Sequence, residues 1–389
     1  MLAHTIFVVQ KSLLEHRAFL LALISLAGIG PRTVLKILDV CQKKQLSRAE
    51  FWANKHHIWQ EIELKEKTIE SIKKFKKEHS LLDNLSQLEA SGIQLTTFEE
   101  PTYPPLLSTI EDLPIILFVK SHVKIGSEAW SNIFSNTISI VGTRKITGYG
   151  RLVINRLIPP LVDAHQVIVS GFMYGVDLLS AQTALNHQGQ TIAVLGFGFN
   201  YCFPSSQKKI MHEFLERGAV FLTEFIPTTL ARASNFVTRN RIVAGLSKAT
   251  IVIEAMKHSG SHITASYANN YGRLVMAVPG PITNPFSEGT KELINQGAIL
   301  VNSAQDVLKE IGVDYHLSLL NSKDTNKSSN SNSNENKLLL ENLSFYPELS
   351  FENLQKNTQI SVDKLNQLLF DLELQGRIIK KWGKYCLVS

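Results

Sequence analysis

Ile138-Ser-Ile-Val-Gly142-Thr-Arg-Lys145 is the stretch that decides the fold: a short β-type run ends on a glycine and two cations. The same unit recurs downstream. Val167-Ile-Val169 runs into Ser170-Gly171, Thr191-Ile-Ala-Val-Leu195 into Gly196-Phe-Gly198, and Val220-Phe-Leu222 into Thr223-Glu224. Thr250-Ile-Val-Ile253 runs into Glu254, and Leu274-Val-Met-Ala-Val278 into Pro279-Gly280. Segments long enough for a helix lie between them, such as Val176–His187 and Ser206–Arg217. Short, nearly continuous apolar runs alternating with helices predict strands covered on both faces. The fold class is therefore α/β, a doubly wound, mostly parallel sheet.

Such sheets bind ligands beyond the carboxyl ends of their strands, near a switch in strand order. The informative residues are those just after each run: Gly142, Thr143, Arg144 and Lys145; Ser170 and Gly171; Gly196 to Asn200; Glu224; Glu254; and Ser259, Gly260 and Ser261. Glycine lets a backbone approach a ligand closely, helix-start N–H groups attract anions, and a guanidinium grips a phosphate with two bonds. One glycine of this kind would mean no more than a tight turn. Several on one edge, with Arg144 among them, favour a phosphate-binding edge.

A second constellation is Arg232-Ala-Ser-Asn235-Phe236-Val-Thr-Arg239-Asn240-Arg241, which leads into apolar Ile242-Val-Ala-Gly-Leu246. On a helix, Arg239 and Arg241 diverge by about 200°. One is expected to pair inward with Glu224 or Glu254 and the other to face a ligand. Arginines beside an aromatic ring suit single-stranded nucleic acid, where phosphates are neutralised while bases stack.

Familiar catalytic patterns do not fit. Gly196-Phe-Gly198-Phe-Asn-Tyr201 begins like a dinucleotide fingerprint but has Tyr201 where the third glycine belongs. There is no Gly-x-x-x-x-Gly-Lys-Ser/Thr loop and no Gly-x-Ser-x-Gly elbow. His258 and His262 have helical spacing, but no glutamate lies between them to complete a zinc motif. No catalytic residue, metal or cofactor is expected.

The whole chain has 389 residues, 44% apolar and 19% charged, with a formal net charge of +6. That length suggests two or three domains at roughly 100–200 residues each. The positive balance permits an acidic partner without establishing one. Three scattered cysteines, Cys41, Cys202 and Cys386, fit a reducing compartment, so a cytoplasmic location is expected. The most apolar stretch, Phe19 to Gly30, is shorter than the roughly twenty residues that a membrane-spanning helix needs.

Composition divides the chain into a helical region (residues 1–100), the α/β region (101–316), an Asn/Ser/Lys-rich flexible linker (317–337) and a small helical module (338–389). In the first region, Leu20 to Leu38 is similar to a helix-hairpin-helix. Gly28-Ile29-Gly30 makes its turn and Pro31 opens its second helix. Only Arg32 and Lys36 are basic nearby, which favours an interaction role over DNA contact. In the last module, helices are expected near Leu338–Leu343, Ser350–Asn357 and Ser361–Gln375, followed by a hairpin turning near Gly383. That order resembles a winged helix. Its recognition helix would carry Asp363, Asp371 and Glu373 against Lys364 alone, so protein interaction is favoured there too.

Taken in order, the motifs resemble the DprA (Smf) family of bacterial DNA-processing proteins. They are Ile140-Val-Gly-Thr-Arg-Lys145, Val169-Ser-Gly171 with Gly175-Val-Asp177, Asn235-Phe-Val-Thr-Arg-Asn-Arg241, Ser259-Gly-Ser-His-Ile-Thr-Ala265, Val278-Pro-Gly280 and Asn295-Gln-Gly-Ala298. The resemblance spans about residues 101 to 312. It implies an extended Rossmann-like domain, flanked by a helix-hairpin-helix (SAM-like) domain and a winged-helix module. It also implies a homodimer that binds single-stranded DNA without turnover, protects incoming strands and helps load RecA in natural transformation. The DNA pocket it implies comprises Gly142, Thr143, Arg144, Lys145, Ser170, Gly171, Arg232, Asn235, Phe236, Arg239, Asn240, Arg241, Ser259, Gly260, Ser261 and Thr264. Two positions depart from the family pattern: Tyr174 stands where an arginine is usual, and Ala181 where a histidine is. The alternatives are a related nucleotide-cleaving enzyme, whose motif carries a catalytic glutamate where this chain has Ser259–Ala265, and a nucleotide sensor.

Overall fold

A computed structural model describes residues 2–26, 28–53, 57–78, 81–313, 332–345, 348–374, 377–381 and 383–387. The chain forms two compact units, Met1–Leu319 and Leu320–Ser389. Among the described residues, no helix is long and apolar enough to cross a membrane.

The first unit opens with six helices: α1 (Leu2–Ser25), α2 (Pro31–Lys43), α3 (Arg48–Ala53), α4 (Ile58–Glu61), α5 (Glu66–Glu78) and α6 (Leu81–Ala90). Gly28 turns the chain between α1 and α2 with φ +86°, and the Thr68 hydroxyl lies 2.8 Å from where a Cβ would stand. A side chain there would meet both strain and a clash. Strands β1 (Gln94–Thr97) and β2 (Ile116–Lys120) follow, then α7 (Glu128–Ile133). The alternating part comprises β3 (Thr137–Val141), α8 (Gly148–Asp163), β4 (Val167–Ser170), α9 (Val176–Asn186), β5 (Thr191–Val194), α10 (Lys208–Glu216) and β6 (Val220–Thr223). It continues through α11 (Ala233–Gly245), β7 (Ala249–Val252), α12 (Gly260–Asn270), β8 (Leu274–Ala277), α13 (Glu288–Asn295), β9 (Ile299–Leu300) and α14 (Ala304–Glu310).

Among the described residues, nine strands form one sheet in the order β1-β2-β6-β5-β4-β3-β7-β8-β9. The pairs β1–β2 and β2–β6 are antiparallel and the rest are parallel. The expected doubly wound, mostly parallel sheet is therefore present. Strand β3, sixth in that order, shows why the run beginning at Ile138 has its composition. Ile138 and Ile140 pack into one apolar layer with Ile154 and Leu157 of α8, and Val141 packs into the opposite layer with Ile242 and Val243 of α11. The polar residues of β3 do not interrupt this packing. Thr137 and Ser139 are buried and donate to the carbonyls of Leu246 (2.5 Å) and Val243 (2.7 Å), which satisfies acceptors at the end of α11.

The boundary expected at residue 100 moves. Gln94–Thr97 already pairs with Ile116–Val119, so the sheet region starts no later than Gln94. Nor do the first helices have a core of their own. Phe19, Phe51 and Trp59 share one apolar cluster with Phe172, Phe214 and Phe221 of the sheet region. Arg17 of α1 grips Glu100 with two bonds, Nε to Oε1 at 2.9 Å and Nη2 to Oε2 at 2.5 Å. Burial opposes that carboxylate, but Arg17 and the Thr97 and Thr102 hydroxyls outweigh it and hold its pKa below the usual glutamate range.

The second unit contains α15 (Asn332–Phe345), β10 (Leu349–Ser350), α16 (Phe351–Thr358), α17 (Val362–Leu374), β11 (Ile378–Lys381) and β12 (Lys384–Leu387). Its antiparallel sheet has the order β10-β12-β11. Ser350 caps α16 by accepting from Asn353 N at 3.3 Å, and Gly383 turns the hairpin with φ +79°. Leu339, Leu354, Leu365, Leu368 and Ile378 close a separate core. The linker expected through residue 337 is shorter than its composition suggested. The helix reaches back to Asn332, where Glu335 lies 4.0 Å from Lys364 of α17. The rest of the expected linker, up to residue 331, lies outside the described residues.

Candidate functional site

Strands β3 and β7 are parallel neighbours at which the strand order switches direction. Beyond their carboxyl ends lies a cleft of about 630 Å³. Its walls come from the turn after β3, the turn after β4, the first two turns of α11 and the start of α12. This is the crevice that a doubly wound sheet offers a ligand.

Packing fixes these turns. Thr143 N donates to the Glu254 carbonyl at 2.8 Å, and Val176 N donates to the Thr143 carbonyl at 3.1 Å. A Cβ on Gly142 would lie 2.7 Å from Val176 Cγ2, so the glycine is what lets the turns after β3 and β4 meet. Both Glu254 carboxylate oxygens are engaged by Thr147 at the start of α8, from its backbone N at 3.0 Å and its hydroxyl at 2.5 Å. Gly260 is different: nothing lies within 4 Å of where its Cβ would stand.

Arg239 forms the cationic floor. Only 3% exposed, it donates from Nη1 to the Gly171 carbonyl at 2.5 Å and to the Val194 carbonyl, across the ends of β4 and β5. Its Nε is buried without a hydrogen-bond partner. Burial lowers the guanidinium pKa to about 10, against the pull of Asp177, and it stays charged at neutral pH. Burial also raises the Asp177 carboxyl to about 6, with Arg239 pulling the other way. A folded-state pKa above the ordinary aspartate value means stability gained on acidification. The contribution is complete below the unfolded value and is lost as the pH rises through about 6. Asp177→Asn is therefore expected to be more stable than the parent at neutral pH. The gap should close as the pH falls toward 4, as read from urea midpoints across that window. A gap independent of pH would refute the shift.

The glycines give a second expectation. A Cβ on Gly171 would lie 2.5 Å from Arg239 Nη1 and 2.6 Å from Asp177 Oδ2, so Gly171→Ala should lower the melting temperature by several degrees. Gly260→Ala, at the first position of α12 and facing open space, should not lower it. Equal melting shifts would show that the two glycines do the same job.

The cleft gathers Gly142, Thr143, Arg144, Gly171, Arg232, Phe236, Arg239, Asn240, Ser259, Gly260, Ser261 and Thr264. Arg144, Lys145 and Arg232 are exposed, and none makes a side-chain hydrogen bond or ion pair among the described residues. Four of the expected residues do not line the cleft. Lys145 lies outside its lining, Ser170 is buried and donates to the Ile140 carbonyl at 2.9 Å, and Asn235 donates to the Leu230 carbonyl at 3.2 Å. Arg241 turns away altogether, to Glu224 at 2.6 Å and Asp112 at 3.3 Å. The divergence of the two arginines is as expected, but both are buried. Arg241 meets carboxylates, and Arg239 meets backbone carbonyls beneath the cleft.

Sequence reasoning missed Met173, Phe203, Val237 and Met256 in the lining. Phe203 is 45% exposed, with its ring centroid 5.6 Å from that of Phe236, so the two make an aromatic edge. The signal was the aromatic spacing of Phe197, Phe199, Tyr201 and Phe203, within a segment that otherwise reads as an incomplete dinucleotide motif.

The family model for DNA recombination-mediator protein A matches residues 94–312. The chain belongs to that family. The match opens on the first residue of β1, in agreement with the boundary that the sheet sets. The DNA processing protein DprA of Bacillus subtilis is 35% identical over 227 residues, 58% of this chain and 74% of that one. Protein Smf of Escherichia coli is 36% identical over 237 residues, 61% of this chain and 62% of that one. The X-ray structure of DprA from Streptococcus pneumoniae superposes with a TM-score of 0.63 at 28% identity, covering 75% of this chain and 97% of that one.

Proposed function

We propose that the switch-point cleft binds single-stranded DNA without turnover and that the protein is a recombination mediator. In this reading it works in the cytoplasm as a homodimer, shields an incoming strand and passes it to RecA during natural transformation. The observation that carries the reading is the composition of the cleft. It pairs exposed, unpartnered Arg144 and Arg232 over buried Arg239 with an aromatic edge of Phe203 and Phe236. A strand with phosphates to neutralise and unpaired bases to stack matches that combination. A duplex would keep its bases out of reach.

The carboxylates nearby support binding over catalysis. Glu254 spends both oxygens on Thr147, and Asp177 is packed under Gly171 beside Arg239. The Ser259–Ala265 segment offers hydroxyls where the nucleotide-cleaving relatives carry a glutamate. The flanking parts fit accessory modules. The Gly28 turn between α1 and α2 fits a helix-hairpin-helix of SAM-like type, and the second unit fits a winged helix. The solvent face of α17 carries Asp363, Glu373 and a 61% exposed Phe370, which suits a protein partner better than a phosphate backbone.

Fluorescence anisotropy tests the reading with oligo-dT, the matching duplex and nucleoside monophosphates. Tight binding of oligo-dT alone is expected, with affinity falling by about 0.7 log units per log unit of salt for each phosphate neutralised. Equal affinity for the duplex would overturn the single-strand reading. Binding of monophosphates alone would favour a sensor, and release of free base from them would favour an enzyme.

A further inference from the structure

A second cavity adjoins the cleft across the segment Tyr201-Cys202-Phe203. Phe203 lines the first cavity, whereas Tyr201 and Cys202 line the second, of about 560 Å³. The second runs along α10. It is lined by Lys120 from the end of β2, His122 just beyond, Lys208 at the first turn of α10 and His212 one turn on. Its lining carries a single carboxylate, Glu216, which faces His122 at 3.8 Å. The two lysines outweigh it. Tyr201 is 40% exposed and Lys208 is exposed, with no partner among the described residues.

We propose that this cavity is a second subsite for the same nucleic acid strand, taking nucleotides that extend beyond the cleft at Arg144. The inference rests on the cleft being a single-strand site. Continuity and charge favour a nucleic acid strand as the occupant. Phe203 and Tyr201 are two residues apart in one segment, so their backbones stand within about 7 Å of each other. Successive bases of a strand can reach from one ring to the other on that scale. The aromatic pair Phe203 and Phe236 on the cleft side and Tyr201 beyond it form a stepped stacking surface. Lys208 and Lys120 then offer the phosphates a cationic path on the far side. A small anionic metabolite would need a more enclosed site with converging donors. An acidic peptide would gain nothing from the aromatic steps.

The subsite predicts a dependence on strand length. Anisotropy titrations would compare a dT oligonucleotide of about four nucleotides, short enough for the cleft alone, with one of about twenty. The variants are Tyr201→Ala combined with Lys208→Gln, and Arg144→Ala. The double variant should bind the long strand at least tenfold more weakly and with a salt slope shallower by about 0.7. Its affinity for the short strand should hold. Arg144→Ala should weaken both lengths. A double variant with unchanged long-strand affinity and slope would overturn the subsite and leave the cleft standing. A loss at both lengths would place Tyr201 and Lys208 in the first cleft and overturn a separate subsite. If the parent protein bound neither length, the cleft reading and the subsite would fall together. Both side chains are exposed, so the parent melting temperature should be retained and binding isolated from folding.

Discussion

Replacing Arg241 with alanine should destabilise the first unit by about 3–5 kcal/mol, although family resemblance places this arginine in the DNA pocket. Glu224 is the reason. Its carboxylate is almost wholly buried, and burial raises its pKa against the opposing pull of Arg241. The Arg241 side chain is 6% exposed and lies against both Glu224 and Asp112. Removing the cation leaves a buried anion with no partner. Urea denaturation at neutral pH would show the loss as a lower midpoint. Adding Glu224→Gln to Arg241→Ala should recover much of it, since no bare charge then remains inside. A loss below about 1 kcal/mol would mean that Glu224 finds water or another donor. Fully folded Arg241→Ala protein, kept cold, should bind DNA nearly as the parent does, because the side chain lies away from the cleft.

Arg144→Ala should behave in the opposite way, folding normally and binding poorly. The side chain is exposed, and among the described residues it has no hydrogen bond or ion pair to lose. Its melting curve should therefore stay within about 0.5 kcal/mol of the parent. A guanidinium that grips a phosphate contributes about 1.5–3 kcal/mol, so oligo-dT affinity should fall roughly 10- to 150-fold. The salt slope should become shallower by about 0.7, one phosphate fewer. Arg144→Lys should recover only part of the loss, because an ammonium cannot make the paired bonds. Unchanged affinity with an unchanged slope would remove Arg144 from the interface.

The sheet was legible because the signal that makes it is local. Each apolar run had to be short, buried on both faces and followed by a turn, and those conditions act on neighbouring residues. All six runs of the alternating part became strands, most ending within a residue of the glycine or acid that was expected to stop them. The first domain boundary was not legible. The feature that ties α1 to the sheet is a contact from Arg17 to Glu100, far apart in sequence, and a shared cluster reaching from Phe19 to Phe221. The site was half legible for the same reason. Turn residues such as Gly142 and Gly260 follow from strand ends. Whether Arg239 or Arg241 faces a ligand depends on what lies across from α11, and no spacing rule gives that. Phe203 enters the cleft only because the segment after β5 folds over it.

The two ends of the chain have different freedoms over evolutionary time. The last unit closes its own core around Leu339, Leu354 and Leu368, and the apolar clusters of the first unit include none of its described residues, so a gene could acquire, exchange or shed it with those clusters complete. The first helices have no such independence. Losing them would break up the apolar cluster that they share with Phe172, Phe214 and Phe221, so they can change only in step with the sheet region. Lineages of this architecture should therefore vary freely at the carboxyl end and drift slowly, by compensated substitutions, at the amino end.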